Sequence, residues 1–168
     1  MSYRLLGYFF LVIILIFISP AIAQEKIAPN FKAETLDGKK IELSKLLENG
    51  PVLISFWATS CKPCIEELND IKESYAEFEN KGLKFLAISQ DGPRSVSKVR
   101  GLVSSLRWKY IVVLDTDMNI SKKYQVLGIP HTVLITKDGK IAYTHTTYRK
   151  GDDKILKDKI AELLKDEK

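Results

Sequence analysis

A run of strand formers, Val52-Leu-Ile-Ser-Phe-Trp57, passes through Ala58-Thr59-Ser60 into Cys61-Lys62-Pro63-Cys64, and from there into a helical pattern that lasts from Lys62 to Asn80. No other stretch constrains the fold as much. The strand shows little polar alternation, as expected of a central strand covered on both faces. Lys81-Gly82 closes the helix, and a second apolar strand, Leu83-Lys-Phe-Leu-Ala-Ile-Ser89, follows.

The rest of the chain fits around that unit. Phe31 to Leu36 and Lys40 to Leu43 flank Asp37-Gly38, a strong hairpin signal. Ser44 is placed to cap a short turn through Leu47. Asp91-Gly92-Pro93 turns into a helix from Ser95 to Leu106, and Tyr110 to Leu114 forms a third strand. Asp117 is placed to cap a short helical stretch up to Tyr124. Gly128-Ile129-Pro130 breaks the chain before the strand Thr132 to Ile135, and Asp138-Gly139 turns it into Lys140 to Tyr143. Ile155, Leu156, Ile160, Leu163 and Leu164 give the tail from Asp152 to Lys165 the spacing of an amphipathic closing helix. Strands alternating with helices, ending in a hairpin and a helix, describe an α/β sandwich with a mixed central sheet.

The chemistry sits in the cysteines, the only two in the chain. Cys61 falls at the start of the helix, where unpaired N–H groups and the helix dipole favour a thiolate over a thiol. Lys62 adds a cation, and Pro63 suits a first turn that has no use for its missing N–H. Two intervening residues bring the sulfurs within bonding distance. Cys61 is then the exposed attacking thiolate, and Cys64 the deeper thiol that resolves the mixed disulfide. A four-residue loop would be a poor structural staple. Ile65, Leu68, Ile71, Tyr75 and Phe78 make one apolar stripe that includes Cys64. Glu67 lies at the edge of the stripe, three residues after Cys64, where a half-buried carboxylate would exchange a proton with the thiol. Glu66 points to solvent.

The first residues read as an address. Arg4 precedes an apolar run from Leu5 to Ile18, then Ser19-Pro20 and Ala21-Ile22-Ala23. That order is a secretory signal over residues 1–23, or, uncleaved, an N-terminal anchor, ahead of a single domain over residues 24–168. The run falls short of the roughly 20 residues a spanning helix needs. The formal charge of +5 is spread among acids and carries no basic, aromatic-interleaved patch, so no nucleic acid is expected. Two cysteines and two distant histidines cannot build a structural zinc site. No metal and no cofactor beyond the cysteine pair is expected.

Val52 to Cys64, the opening Ala28-Pro-Asn-Phe31, the stretch Leu36 to Leu46, and Gly128-Ile-Pro-His-Thr-Val-Leu-Ile135 with Asp138-Gly139 follow one another in order. Together they resemble the thioredoxin superfamily, and in particular its exported TlpA/ResA-like thiol–disulfide oxidoreductases and their AhpC/TSA (peroxiredoxin) relatives. The resemblance implies a thioredoxin-like three-layer α/β/α sandwich with a mixed central sheet and an N-terminal β-hairpin. It implies Trp57 packed beside the site as a substrate-contacting residue and Pro130 as a cis-proline opposite the disulfide, also in contact with substrate. It also implies that the Ile129 backbone is turned toward an extended substrate, and that Glu67 is the acid near the cysteines. His131 follows the proline where relatives often carry Thr; it would hydrogen-bond a thiolate, contact substrate, or lie on the sheet surface. Ser60 replaces a bulky residue, Ser55 replaces a buried acid, and His145 has no evident partner.

The activity expected from the resemblance is reduction of disulfides in other exported proteins, including apocytochrome haem-binding motifs, by a monomer supplied by a membrane thiol–disulfide electron donor. Two alternatives use the same cysteines. A thiol peroxidase would suit the Ala28-Pro29-Asn30-Phe31 opening but lacks the Pro-x-x-x-Thr-x-x-Cys order around Cys61. A copper-binding chaperone would use Cys61 and Cys64, with His131 as an optional third ligand, since soft thiolates suit Cu(I).

Overall fold

The computed structural model describes residues 25–166, so the expected export segment lies outside the described residues. Strand β3 (Val52–Trp57) is buried at every position, which explains its unbroken apolar character. It pairs in parallel with β4 (Lys84–Ser89) and antiparallel with β6 (His131–Ile135). Outside these, β5 (Ile111–Leu114) runs parallel to β4, and β7 (Ile141–Thr146) antiparallel to β6. The order β5-β4-β3-β6-β7 is the expected mixed sheet. The N-terminal hairpin, β1 (Lys32–Glu34) with β2 (Lys40–Glu42), turns at Gly38 and touches the main sheet through a bridge from Thr35 to Val113.

Alternate residues of β3 feed two cores. Leu53 and Trp57 face a cluster with Cys64, Leu68, Ile71, Tyr75 and Phe78 of α2 (Lys62–Asn80). Val99 of α3 (Val96–Leu106) and Leu156, Ile160 and Leu164 of α5 (Asp152–Asp166) complete that layer. Val52, Ile54 and Phe56 face the other way, onto Phe31, onto Leu43 and Leu47 of α1 (Leu43–Leu47), and onto Ile120 of α4 (Asn119–Lys123) with the following Tyr124. Each large side chain so buried contributes about 1.5–3 kcal/mol. The three-layer sandwich and its N-terminal hairpin stand as the sequence implied.

Three local details differ. Ser44 is not a cap; Glu42 holds the N-cap position of α1 and makes no side-chain cap bond. Asp117 shares the head of α4 with Asp115: Asp117 accepts the Asn119 N–H at 3.2 Å, and the buried Asp115 carboxylate accepts the N–H groups of Ile120 (2.9 Å) and Ser121 (2.8 Å). Strand β7 runs on to Thr146, because only its alternate residues face inward and its inner positions include Tyr143 and His145 as well as an aliphatic residue.

Gly50, just ahead of β3, is fixed by sterics. Its φ is +139°, and an added Cβ would stand 2.5 Å from the Gly82 carbonyl oxygen, which is backbone and cannot swing aside. Gly50→Ala is expected to cost about 3 kcal/mol in denaturant unfolding; a loss below about 1 kcal/mol would mean that the two turns separate freely.

Candidate active site

Residue Cys61 is the N-cap of α2, in extended backbone, and its Sγ accepts the Cys64 N–H at 3.3 Å. That leaves the sulfur at the end of the helix with a backbone donor aimed at it, the arrangement that favours a thiolate. Pro63 occupies the first turn, as expected. Cys61 and Cys64 are joined in a disulfide, with their Cα atoms 5.3 Å apart. The two sulfurs are unequal: Cys61 is partly exposed and Cys64 is 0% exposed. Exposed Lys62 lies 3.9 Å from Glu66, a surface pair that contributes little.

The loop entering the site is anchored from a strand away. Asp91 accepts the Thr59 N–H at 2.8 Å and the Thr59 hydroxyl at 2.6 Å, and also takes the Ser89 hydroxyl at 2.9 Å. Sequence reasoning missed this anchor, because the residues are far apart in the chain and meet only once β3 and β4 pair.

Trp57 packs edge-on against Trp108, with ring centroids 5.1 Å apart. It is 0% exposed. The expectation of a substrate contact therefore needs correcting: as the last residue of a central strand covered on both faces, Trp57 supports the loop from beneath and offers no surface.

Glu67 goes deeper than its place on the helix suggested. It is 2% exposed, because its carboxyl turns onto the sheet between Ser55 of β3 and Thr132 of β6. Ser55 and Thr132 are directly paired across β3 and β6. Their hydroxyls donate to the two carboxylate oxygens, Ser55 at 3.1 Å and Thr132 at 2.9 Å. Burial pushes the Glu67 pKa up, and these two hydrogen bonds only partly oppose it. In the unfolded chain this group titrates near 4.5. Between that pH and its higher folded value, the folded state holds a proton that the unfolded state has released, so stability falls as pH rises. Glu67→Gln is expected to flatten this part of the stability–pH curve of the oxidised protein. An unchanged slope would place the titration elsewhere.

The Ile129-Pro130 peptide is cis, as the resemblance implied, and Pro130 is buried. Among the described residues no other backbone group is hydrogen-bonded to Ile129. His131 is not brought to the cysteines. It pairs with Phe56 across β3 and β6, with the two rings 6.0 Å apart. It therefore lies on the opposite face of the sheet from the cluster that holds Cys64. Its Nδ1 is 2.9 Å from the Thr146 hydroxyl. Burial, with Lys26 nearby, holds its pKa below the usual histidine range. This is the sheet-surface position, and it leaves Cys61 and Cys64 without His131 as a third copper ligand. Among the described residues no group of three or more His, Cys, Asp or Glu side chains is disposed to hold a metal.

The site thus offers a reachable sulfur at a helix tip, a buried sulfur within bonding distance, a carboxyl one helical turn further on, and an open stretch of backbone at Ile129. The profile of the AhpC/TSA family matches residues 25–144. The chain is 38% identical over 116 residues to the thiol-disulfide oxidoreductase ResA of Bacillus thuringiensis subsp. konkukian, covering 69% of this chain and 65% of that protein. It is 32% identical over 140 residues to ResA of Halalkalibacterium halodurans, covering 83% of this chain and 76% of the relative. The chain thus spans about two thirds to three quarters of the length of these curated relatives. A crystal structure described as a putative thiol:disulfide interchange protein DsbE from Chlorobium tepidum superposes with a TM-score of 0.77 at 24% identity, covering 86% of this chain and 99% of that one, a likeness of fold.

Proposed function

The chain belongs to the AhpC/TSA family, among its ResA-like members, and from that premise we propose that it is an exported thiol–disulfide oxidoreductase that reduces disulfides of other envelope proteins. The observation that carries the proposal is the inequality of the joined cysteines: Cys61 is partly exposed at the head of α2, and Cys64 is sealed behind it.

In the dithiol form, the Cys61 thiolate attacks one sulfur of the partner's disulfide. A bond forms between Cys61 and that sulfur, and the partner's second sulfur leaves as a thiolate. Cys64 then gives its proton to the Glu67 carboxylate and attacks Cys61. The intermolecular bond breaks, the partner departs with both sulfurs reduced, and the Cys61–Cys64 disulfide remains. Two electrons have passed to the partner. Burial makes Glu67 a stronger proton acceptor than an ordinary carboxylate. The partner's chain lies extended beside Ile129, where the unpaired backbone can form a short ladder next to the cis-proline.

A membrane-bound dithiol donor returns the pair to the reduced state, and oxidised haem-binding cysteine pairs of apocytochromes are among the substrates this arrangement suits. Among the described residues no helix is long and apolar enough to cross a membrane. Incubated in dithiol form with oxidised insulin, the protein is expected to come back as the Cys61–Cys64 disulfide while insulin chains separate. Recovery of the dithiol with insulin intact would exclude the activity.

A further inference from the structure

Glu67 is sealed from solvent, yet the cycle above requires it to take up and lose a proton at each turnover. The register of the sheet shows what lies beyond it. Thr132, which donates to Glu67, is directly opposite His145 across β6 and β7, so both point to the same face as the carboxyl. Tyr143, two residues earlier on that face, stacks on the His145 ring with centroids 6.3 Å apart. The His145 Nε2 is buried and makes no hydrogen bond among the described residues. It stands 3.4 Å from Asp152 Oδ2, within ion-pair range though not aligned as a hydrogen bond. Asp152 is itself fixed at the head of α5 by the Arg149 N–H at 2.8 Å, and about a quarter of its side chain meets solvent.

The titratable groups around Glu67 come from three elements. Cys64 and Asp70 share its helix; Tyr143, His145 and Tyr148 come from β7 and the turn after it; Asp152 and Asp153 come from the head of α5. Tyr148 is occupied by a hydrogen bond to Asp70, and Asp153 by an ion pair with Lys157. Lys159 of α5, which acts on Tyr143, is paired with Glu162 at 2.8 Å, and among the groups acting directly on Glu67 His145 is the one imidazole.

We propose that His145, held against Asp152, is the positioning residue that sets the protonation of Glu67 and thereby governs when Cys64 can be deprotonated. This rests on the reading of Cys64 as the resolving thiol. An imidazolium at His145 favours the Glu67 carboxylate, the form that accepts the Cys64 proton, and a neutral ring favours the carboxylic acid. Such an influence is reciprocal between the two groups. The direction agrees with the electrostatic influence of His145 on Glu67, which is to lower its pKa against the effect of burial, while Asp152 acts the other way and by less.

The test uses the oxidised protein, in which the disulfide-bonded cysteines do not titrate. The Glu67 carboxyl is followed against pH by 13C NMR, with Glu67→Gln used for assignment. His145→Gln is expected to raise the Glu67 midpoint by about half a pH unit or more, and His145→Lys to return it to or below the parent value. A structural disturbance would not separate the two replacements by charge. A midpoint unmoved in both variants, or moved alike, overturns the proposal. The histidine rings give a second measurement that needs no substitution at His145. The chain has two histidines, so their resonances are separable. The His145 ring should show an inflection at the Glu67 midpoint that vanishes in Glu67→Gln, and its persistence would also overturn the coupling. Release of a partner from the mixed disulfide, measured in a single turnover against pH, should shift by the same amount as the carboxyl in His145→Gln. A carboxyl that moves while the release profile stays in place would remove the functional half of the proposal. Failure of the parent protein to reduce insulin would instead defeat the proposed function and leave the carboxyl titration to be judged by itself.

Discussion

Cys61→Ser is expected to leave no disulfide reduction above that of a protein-free mixture. The expectation is absolute because of where the two sulfurs lie. Cys64 is 0% exposed and belongs to the same cluster as Leu68, Ile71 and Trp57. A partner's disulfide is far larger than the space left by one missing sulfur, and sulfur–sulfur exchange needs near-linear approach to the attacked atom. A serine hydroxyl at position 61 still caps α2 through the Cys64 N–H, so the fold is preserved and the loss is chemical. Insulin reduction by the reduced variant measures it. Residual turnover of more than a few per cent would mean that Cys64 becomes accessible by local opening.

Cys64→Ser should fail at the opposite end of the cycle. Cys61 retains its place at the helix tip and attacks as before, but the thiol that would displace the partner is gone. The enzyme is expected to complete a single attack and stop, linked to its partner. Non-reducing electrophoresis of an extract carrying this variant should show a ladder of adducts that collapses on reduction, and that is absent when both cysteines are replaced. Adducts formed equally well by Cys61→Ser would reverse the assignment of the two roles. The same adducts would reveal which envelope proteins the open backbone at Ile129 receives.

The parts of this structure that were legible in the sequence are those set by nearest neighbours. The Asp37-Gly38 turn, the uninterrupted strand Val52–Trp57 and the helix closed at Lys81-Gly82 are each specified by residues that touch along the chain. The sulfur pair at the head of α2 belongs to the same class, since capping and proline placement are local. What escaped was decided across strands. Glu67 sits at the edge of an apolar stripe when α2 is considered alone, and the packing of α2 on the sheet buries it. The hydroxyls that receive it, Ser55 and Thr132, become neighbours through the β3–β6 register. The Asp91 hold on Thr59 depends in the same way on β3 lying beside β4. His131 differs by a single step in a strand: one residue before Thr132, it faces the opposite side of the sheet. His145, which had no partner in the sequence, acquires Asp152 because the turn after β7 brings the head of α5 back beside it.

The proposed cycle requires Cys61 to be ionised and reachable at neutral pH while Cys64 is neither. Alkylation of the reduced protein with iodoacetamide, followed against pH with the modified cysteine located by mass spectrometry, tests this most directly. Modification at Cys61 alone, with a midpoint well below the value of about 8.5 for a free cysteine, is the predicted result. Modification of Cys61 no faster than that of a free thiol, or modification of Cys64 first, would contradict it.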